Sequence, residues 1–242
     1  MLAKELLYDS FLVSFAASFL SLDRTAAFQT MVSRPIVTAP VIGWCIGDIT
    51  TGLVAGVLTE LLCMSDLPLG GHVPRHETAL AALTTAGAVF ISRASPDAYS
   101  NMWDKGIALM PIAVLIAMPA ESFLRMIDTR VRRLNVRFFE DAARTVESGE
   151  TGTIAKDNMK GLLLFFALPA AGFFTATLFV GWGAGLFSLL LIRGEGLGAY
   201  LAYAALITIS AAYALSGFNA KRCEYAFWGA VAFCTAFLAL EL

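Results

Sequence analysis

The chain has 242 residues, of which 58% are hydrophobic and only 15% are charged, and its mean hydropathy is +0.72. A soluble domain carries roughly 25% charged residues, so this composition excludes a soluble globular protein and indicates one whose outer face contacts lipid. The net charge of −2 provides no basic field for nucleic acid, and no nucleic-acid partner is predicted.

The first predicted element is a membrane helix over residues 8–22. This apolar run follows Lys4 and has some features of a signal peptide. However, Glu5 and Asp9 are acidic, and no small-residue cleavage site follows the run. We therefore predict a retained helix. The connection that follows it carries Gln29, whose amide can both donate and accept hydrogen bonds.

Residues 35–64 are predicted to form a helical hairpin that enters the membrane and returns. The segment is apolar for 30 residues, which is too long for one crossing and too short for two. Its middle contains the turn residues Gly47 and Asp48, and each half carries a GxxxG pair that allows close backbone approach. Irregular backbone at membrane depth is tolerated only inside protein or beside a water-filled cavity.

Ionisable groups at membrane depth are costly, so each is a candidate for function. Asp48 lies at the predicted turn, where capping a helix and binding a ligand explain it equally well. Glu60 lies among apolar neighbours in the second half of the hairpin, and we interpret it as functional rather than structural. Glu121 is interpreted as an interfacial or paired residue.

Residues 65–124 are predicted to comprise a broken segment followed by helices. The broken part contains Asp66 and both histidines of the chain. His72 and His76 are four positions apart, as helical zinc ligands are, but Pro74 lies between them and there is no HExxH motif. Neither a metal nor any other cofactor is predicted.

Residues 125–160 are predicted to be an amphipathic segment on the cytoplasmic side. They contain eight of the 17 Lys and Arg residues, and positive charge concentrates in cytoplasmic loops. The period is helical, with Val131, Leu134 and Phe138 on one face and arginines on another. A helix lying on the lipid headgroups and a docking face for a cytoplasmic partner are both consistent with this pattern.

Residues 161–242 are predicted to be C-terminal membrane helices. The apolar run over 162–192 exceeds one crossing, and its Pro169 and glycines indicate that it divides into two helices. The runs lack the period-two alternation of membrane strands. The predicted fold is therefore all-α: one polytopic membrane domain over 1–242, with about seven transmembrane helices and one re-entrant hairpin.

The order of motifs resembles the IIC (membrane channel) subunit of the mannose/fructose/sorbose family of bacterial phosphotransferase systems. The resemblance is dense over residues 34–83 and otherwise rests on length and hydropathy. The motifs that carry it are Arg34-Pro35-Ile36-Val37, Gly43-Trp44-Cys45-Ile46-Gly47-Asp48, Thr51-Gly52, Thr59-Glu60-Leu61 and Gly70-Gly71-His72-Val73-Pro74.

The resemblance implies a multi-pass protein of the bacterial inner membrane that translocates a hexose with a second membrane subunit, IID. Cytoplasmic IIA and IIB proteins would phosphorylate the sugar, so the chain itself is a transport subunit and not an enzyme. A homo-oligomer within a IIC–IID complex is the expected assembly, surrounded by membrane lipid.

Candidate residues for lining the sugar path are Gln29, Asp48, Glu60, Asp66 and His72. Asp48 and Glu60 match the hairpin Gly-Asp and the intramembrane glutamate of the family. One departure stands out: relatives commonly have Pro-Pro-Asp or Ala-Pro-Asp where this chain has Pro74-Arg75-His76. The loss of that acidic residue leaves substrate identity and transport activity open.

Two alternatives to sugar translocation remain at this point. The first is a stand-alone secondary transporter that uses Glu60 or Asp48 as a proton or ion site. The second is a degenerate IIC subunit that acts as a membrane platform for regulatory phosphotransferase proteins, which the Pro74-Arg75-His76 departure motivates.

Overall fold

The computed structural model describes residues 3–27, 29–63, 75–94, 102–148 and 154–193. Every regular element in these ranges is helical, which confirms the all-α prediction for the part of the chain they cover. The six helices are α1 (Ala3–Thr25), α2 (Pro35–Cys45), α3 (Ile49–Cys63), α4 (Glu77–Ala94), α5 (Met102–Glu147) and α6 (Ile154–Arg193).

Three of these helices are long and apolar enough to cross a membrane, over Lys4–Thr25, Met110–Glu147 and Ala155–Ser188. They belong to α1, α5 and α6, and they support the prediction of an integral membrane protein. The apolar runs predicted to form the last helices, at 197–215 and 226–242, lie outside the described residues. The count of about seven transmembrane helices therefore stays a prediction.

Helix α4 is the centre of the described fold and packs against all five other helices. Every residue from Thr78 to Ile91 is buried. Many of these residues are alanines and threonines, whose small side chains let neighbouring backbones approach closely, as helix interfaces in membranes require. Its neighbours are the long helices α1, α5 and α6 and the shorter helices α2 and α3.

The long helices α5 and α6 run antiparallel, with Ile116 beside Gly183 and Ile127 beside Gly172. Helix α1 is antiparallel to α6 as well. The Ser18 hydroxyl of α1 donates to the Phe166 carbonyl of α6 at 2.7 Å.

The prediction that residues 162–192 divide into two helices is wrong, because α6 continues unbroken from Ile154 to Arg193. Two of the glycines that suggested a turn, Gly172 and Gly183, are contact points with α5 instead. A Cβ atom at Gly172 would lie 2.5 Å from Ile127 Cδ1, and one at Gly183 would lie 2.9 Å from Ile116 Cγ2. These glycines let α5 pack closely against α6 without breaking the helix.

Most of the predicted cytoplasmic segment, 125–160, is helix. Helix α5 has 46 residues and ends at Glu147, and α6 begins at Ile154. At about 1.5 Å per residue, α5 is roughly 69 Å long, more than twice the thickness of a hydrocarbon core. Part of α5 therefore extends beyond the membrane core. That this part lies on the cytoplasmic side stays a prediction.

Candidate functional site

Helices α2 and α3 form a tight hairpin joined by Ile46, Gly47 and Asp48. The turn requires glycine at position 47, where φ is +84°. The helices are in near-backbone contact, because a Cβ atom at Gly43 would lie 3.0 Å from Gly52 Cα. A Cβ atom at Gly52 would lie 2.5 Å from the Ala39 carbonyl oxygen. The predicted GxxxG glycines thus bring the two helices together, while the entry of the hairpin into a membrane stays a prediction.

Asp48 caps the N-terminus of α3. Its Oδ1 accepts the Thr51 backbone N–H at 3.0 Å, and its Oδ2 accepts the Thr51 hydroxyl at 2.6 Å. Of the two roles considered for Asp48, helix capping is the one these contacts provide. A part in binding sugar stays a proposal.

Glu60 lies at the opposite, open end of the hairpin. Its Oε2 accepts the Ile36 backbone N–H at 3.3 Å, and its Oε1 lies 3.6 Å from Arg34 Nη1. Because Pro35 has no N–H, Ile36 supplies the first free donor of α2. Glu60 therefore caps α2 from α3 and closes the base of the hairpin.

Arg34 also reaches Glu77 at the start of α4, with Nη1 3.3 Å from Oε2. We call Arg34, Glu60 and Glu77 the base cluster. The side chains of Glu60 and Glu77 are 22% and 20% exposed, and that of Arg34 is 43% exposed. One cation between two carboxylates that remain open on one side can donate to and accept from a polar ligand.

Sequence reasoning identified Glu60 but missed the other two members of the base cluster. Arg34 entered the sequence analysis only as part of a family motif, and Glu77 was given no role there. No local pattern marks their meeting, since Arg34 and Glu77 are 43 residues apart along the chain.

The remaining candidates do not converge on the base cluster. Asp48 is separated from Glu60 by most of α3, which is about 18 Å at 1.5 Å per residue. Gln29 is exposed in the α1–α2 connection with φ of +54°, and Asp23 shapes that connection by accepting the Thr30 N–H at 2.5 Å. Asp66 and His72 lie outside the described residues.

The turn end of the hairpin is held by Arg93 at the end of α4. One guanidinium nitrogen donates to the Ile46 carbonyl and another to the Asp9 carboxylate of α1. A cation at the C-terminus of α2 also suits the helix dipole. Polar contacts thus secure both ends of the hairpin. Between these ends, Ala39 of α2 and Ala55 of α3 pack in one cluster with Ala81 of α4.

The profile of the family described as the sorbose-specific IIC component of the phosphotransferase system matches residues 7–191, which include the whole hairpin and the base cluster. The chain belongs to this family. It is therefore a IIC sugar-transport component, and the resemblance seen in its motifs is confirmed. No curated protein sequence matches it significantly.

Two solved structures share the fold of this IIC component. A cryo-EM structure of the mannose transporter ManYZ with microcin E492 superposes with a TM-score of 0.50 at 18% identity, covering 100% of this chain and 96% of that one. A second, described as a membrane protein, gives 0.52 at 16% identity and covers 100% and 97%. At these identities the likeness concerns the fold alone.

Of the departure at Pro74-Arg75-His76, the structure describes Arg75 and His76, which immediately precede α4. The buried imidazole of His76 accepts the Ala79 backbone N–H at Nδ1, 3.2 Å away, as an N-cap carboxylate would. The ring also packs edge-on against Phe173, with centroids 5.9 Å apart. The histidine thus performs the capping that an aspartate at this position could perform.

His76 stays neutral in this position, which lies between helices and outside the three long spanning helices. Burial lowers its pKa to about 3, and the nearby positive charge of Arg24 acts in the same direction. Among the described residues, no group of three or more His, Cys, Asp and Glu side chains is placed to hold a metal ion.

We expect His76 to make the protein sensitive to acid. Its folded pKa of about 3 lies below its ordinary value of 6.5, so protons bind the unfolded chain more tightly and stability falls as the pH drops below about 6.5. At pH 5 the loss is about 2 kcal/mol. Asparagine at this position also accepts the Ala79 N–H but does not titrate.

The measurement is thermal unfolding of the wild type and His76→Asn in detergent at pH 7.5 and pH 5. All other titratable groups are the same in both proteins. The difference between their acid-induced shifts in melting temperature therefore isolates the contribution of His76. Equal acid shifts in the two proteins would contradict a neutral, buried histidine.

Proposed function

We propose that this IIC component moves a hexose of the mannose/fructose/sorbose class across the bacterial inner membrane, together with a IID subunit. Cytoplasmic IIA and IIB proteins phosphorylate the sugar in this proposal. The observation that carries it is the family match over residues 7–191. The structural likeness to ManYZ, described as a mannose transporter, is consistent with it.

The base cluster is the part of the sugar path that this proposal assigns to the described residues. Charged groups of a membrane protein face the protein interior or water, because lipid cannot solvate them. Carboxylate oxygens accept from sugar hydroxyls and the Arg34 guanidinium donates to them. Glu60 and Glu77 are both partly exposed and both within 3.6 Å of Arg34, so the cluster is open to a ligand on one side.

The IID partner is placed on the outer side of the hairpin in this proposal. One side of α2 and α3 packs on α4, whereas the other is apolar and exposed. A path bounded on one side by the hairpin needs a second wall, and a second membrane subunit would supply it. The large exposed side chains on this face are Ile36, Val37, Trp44, Ile49, Leu53, Val57 and Leu61.

The test is reconstitution with and without the partner. The IIC component is expressed alone or with a IID subunit, and phosphoenolpyruvate-dependent uptake is measured with IIA and IIB present. We expect uptake only with IID. Sugar uptake by the IIC component alone, driven by an ion gradient, would instead favour a secondary transporter. If the IIC component binds IIA or IIB but supports no uptake under any condition, the result would favour a regulatory platform.

A further inference from the structure

A second layer of charged residues lies behind the base cluster, where α1, α4 and α5 meet. Its two central members are Arg24 near the end of α1 and Glu121 in the middle of α5. Glu121 is only 5% exposed, and the Arg24 side chain is 15% exposed. Burying such groups is costly unless each serves a definite contact.

Both residues bind the backbone immediately before α4. Arg24 Nη2 donates to the Arg75 carbonyl oxygen at 3.0 Å, and Glu121 Oε1 accepts the His76 N–H at 2.8 Å. Two adjacent residues are thus held by one cation and one carboxylate from different helices. Because the contacts are to main-chain atoms, they fix the path of the chain and do not depend on the side chains of Arg75 and His76.

The next residue in the chain is Glu77, a member of the base cluster. Its carboxylate lies 3.3 Å from Arg34, which lies 3.6 Å from Glu60. A shift of the backbone at 75–76 therefore moves Glu77, and with it the guanidinium that orients Glu60. The Thr78 hydroxyl, which donates to the Ser33 carbonyl at 2.9 Å, ties the same turn of α4 to the residue preceding Arg34.

Arg24 is itself braced by α5. Its Nη1 lies 3.6 Å from Asp128 Oδ2, and the same carboxylate oxygen accepts from Arg132 Nε at 3.1 Å. This arrangement joins α5 to the start of α4 through defined buried contacts, whereas packing alone would allow several rotations of either helix.

We propose that Glu121 and Arg24 are positioning residues for sugar translocation: they hold the main chain at Arg75 and His76 and thereby place Glu77, Arg34 and Glu60. The inference rests on the proposed function of the base cluster. In this proposal Glu121 acts because its side chain is long enough to accept the His76 N–H, and not because it is charged.

Two conservative variants separate reach from charge. Glu121→Gln keeps an oxygen at the same distance from the His76 N–H but removes the charge. Glu121→Asp keeps the charge near Arg24 but is one methylene shorter and no longer reaches. We expect Glu121→Gln to retain uptake within about twofold and Glu121→Asp to lose about tenfold, at equal abundance in the membrane. If Glu121→Asp transports as well as or better than Glu121→Gln, the proposal is overturned.

A double-mutant cycle shows whether the effect passes through the base cluster. When both variants are made in a Glu60→Gln background, the difference between them should shrink, because the Arg34–Glu60 contact that transmits part of the effect is already lost. A difference that persists at full size would show that Glu121 acts elsewhere and would also overturn the proposal. Native uptake by Glu60→Leu refutes the proposed function of the cluster, whichever order the Glu121 variants follow.

Discussion

Glu60→Leu is expected to abolish sugar uptake while the protein still inserts into the membrane. The substitution removes the acceptor for the Ile36 N–H and the partner of Arg34, which lie 3.3 and 3.6 Å from the carboxylate. The hydrogen bond to the charged carboxylate contributes about 1.5–3 kcal/mol and the partly exposed ion pair at most about 1 kcal/mol, so we expect a loss on the order of a hundredfold. Leucine suits lipid and an apolar helix, so insertion should not suffer.

Glu60→Gln divides the two contacts. The amide oxygen still caps α2 at Ile36, but the charge opposite Arg34 is gone, and we expect an intermediate loss of about tenfold. Uptake of labelled hexose is measured at equal membrane abundance. Leu163→Ala is the control, since this α6 side chain is 64% exposed and remote from the hairpin.

Three outcomes for Glu60 carry different meanings. Loss of uptake with normal abundance supports a place in the sugar path. A parallel fall of abundance and uptake would show that Glu60 only braces the hairpin, and native transport by Glu60→Leu would remove it from the mechanism. In both of the latter cases the base cluster is not a sugar site.

Gly52→Ala is expected to destabilise the protein severely, although alanine is normally the better helix former. An exposed helical glycine replaced by alanine gains about 1 kcal/mol. At Gly52, however, the new Cβ would lie 2.5 Å from the Ala39 carbonyl oxygen and 3.0 Å from Pro40 Cα. Both are backbone atoms, so α2 and α3 must separate, and overpacking of this kind costs about 1–3 kcal/mol or more.

Gly185→Ala provides the matched control, because it is the same change within a helix of the same protein. A Cβ atom at Gly185 would meet no atom of the described residues within 4 Å, so this variant should be neutral or slightly stabilised. The melting temperature of each variant in detergent is the readout. Equal melting temperatures for Gly52→Ala and Gly185→Ala would mean that the hairpin helices are not in near-backbone contact.

Much of the fold follows from local features of the sequence. Apolar composition and the lack of period-two alternation were sufficient for an all-helical membrane protein. The turn at Gly47 and Asp48 was visible because glycine and aspartate suit turns and caps, and the GxxxG spacing marked the helix contact. Glu60 could be found from sequence because a lone carboxylate among apolar residues is costly unless it has a partner.

Only the tertiary structure decided which polar groups meet. The base cluster joins Arg34 to Glu60 and Glu77, which lie 26 and 43 residues further along the chain, and Glu121 reaches the His76 N–H across 45 residues. The continuity of α6 was also decided there, since Gly172 and Gly183 contact α5 rather than form a turn. The physical reason is that lipid and protein interior are both apolar, so hydrophobic patterning does not reveal which face of a helix is inside. Helix rotation is instead selected by close packing and by polar pairs that are distant in sequence.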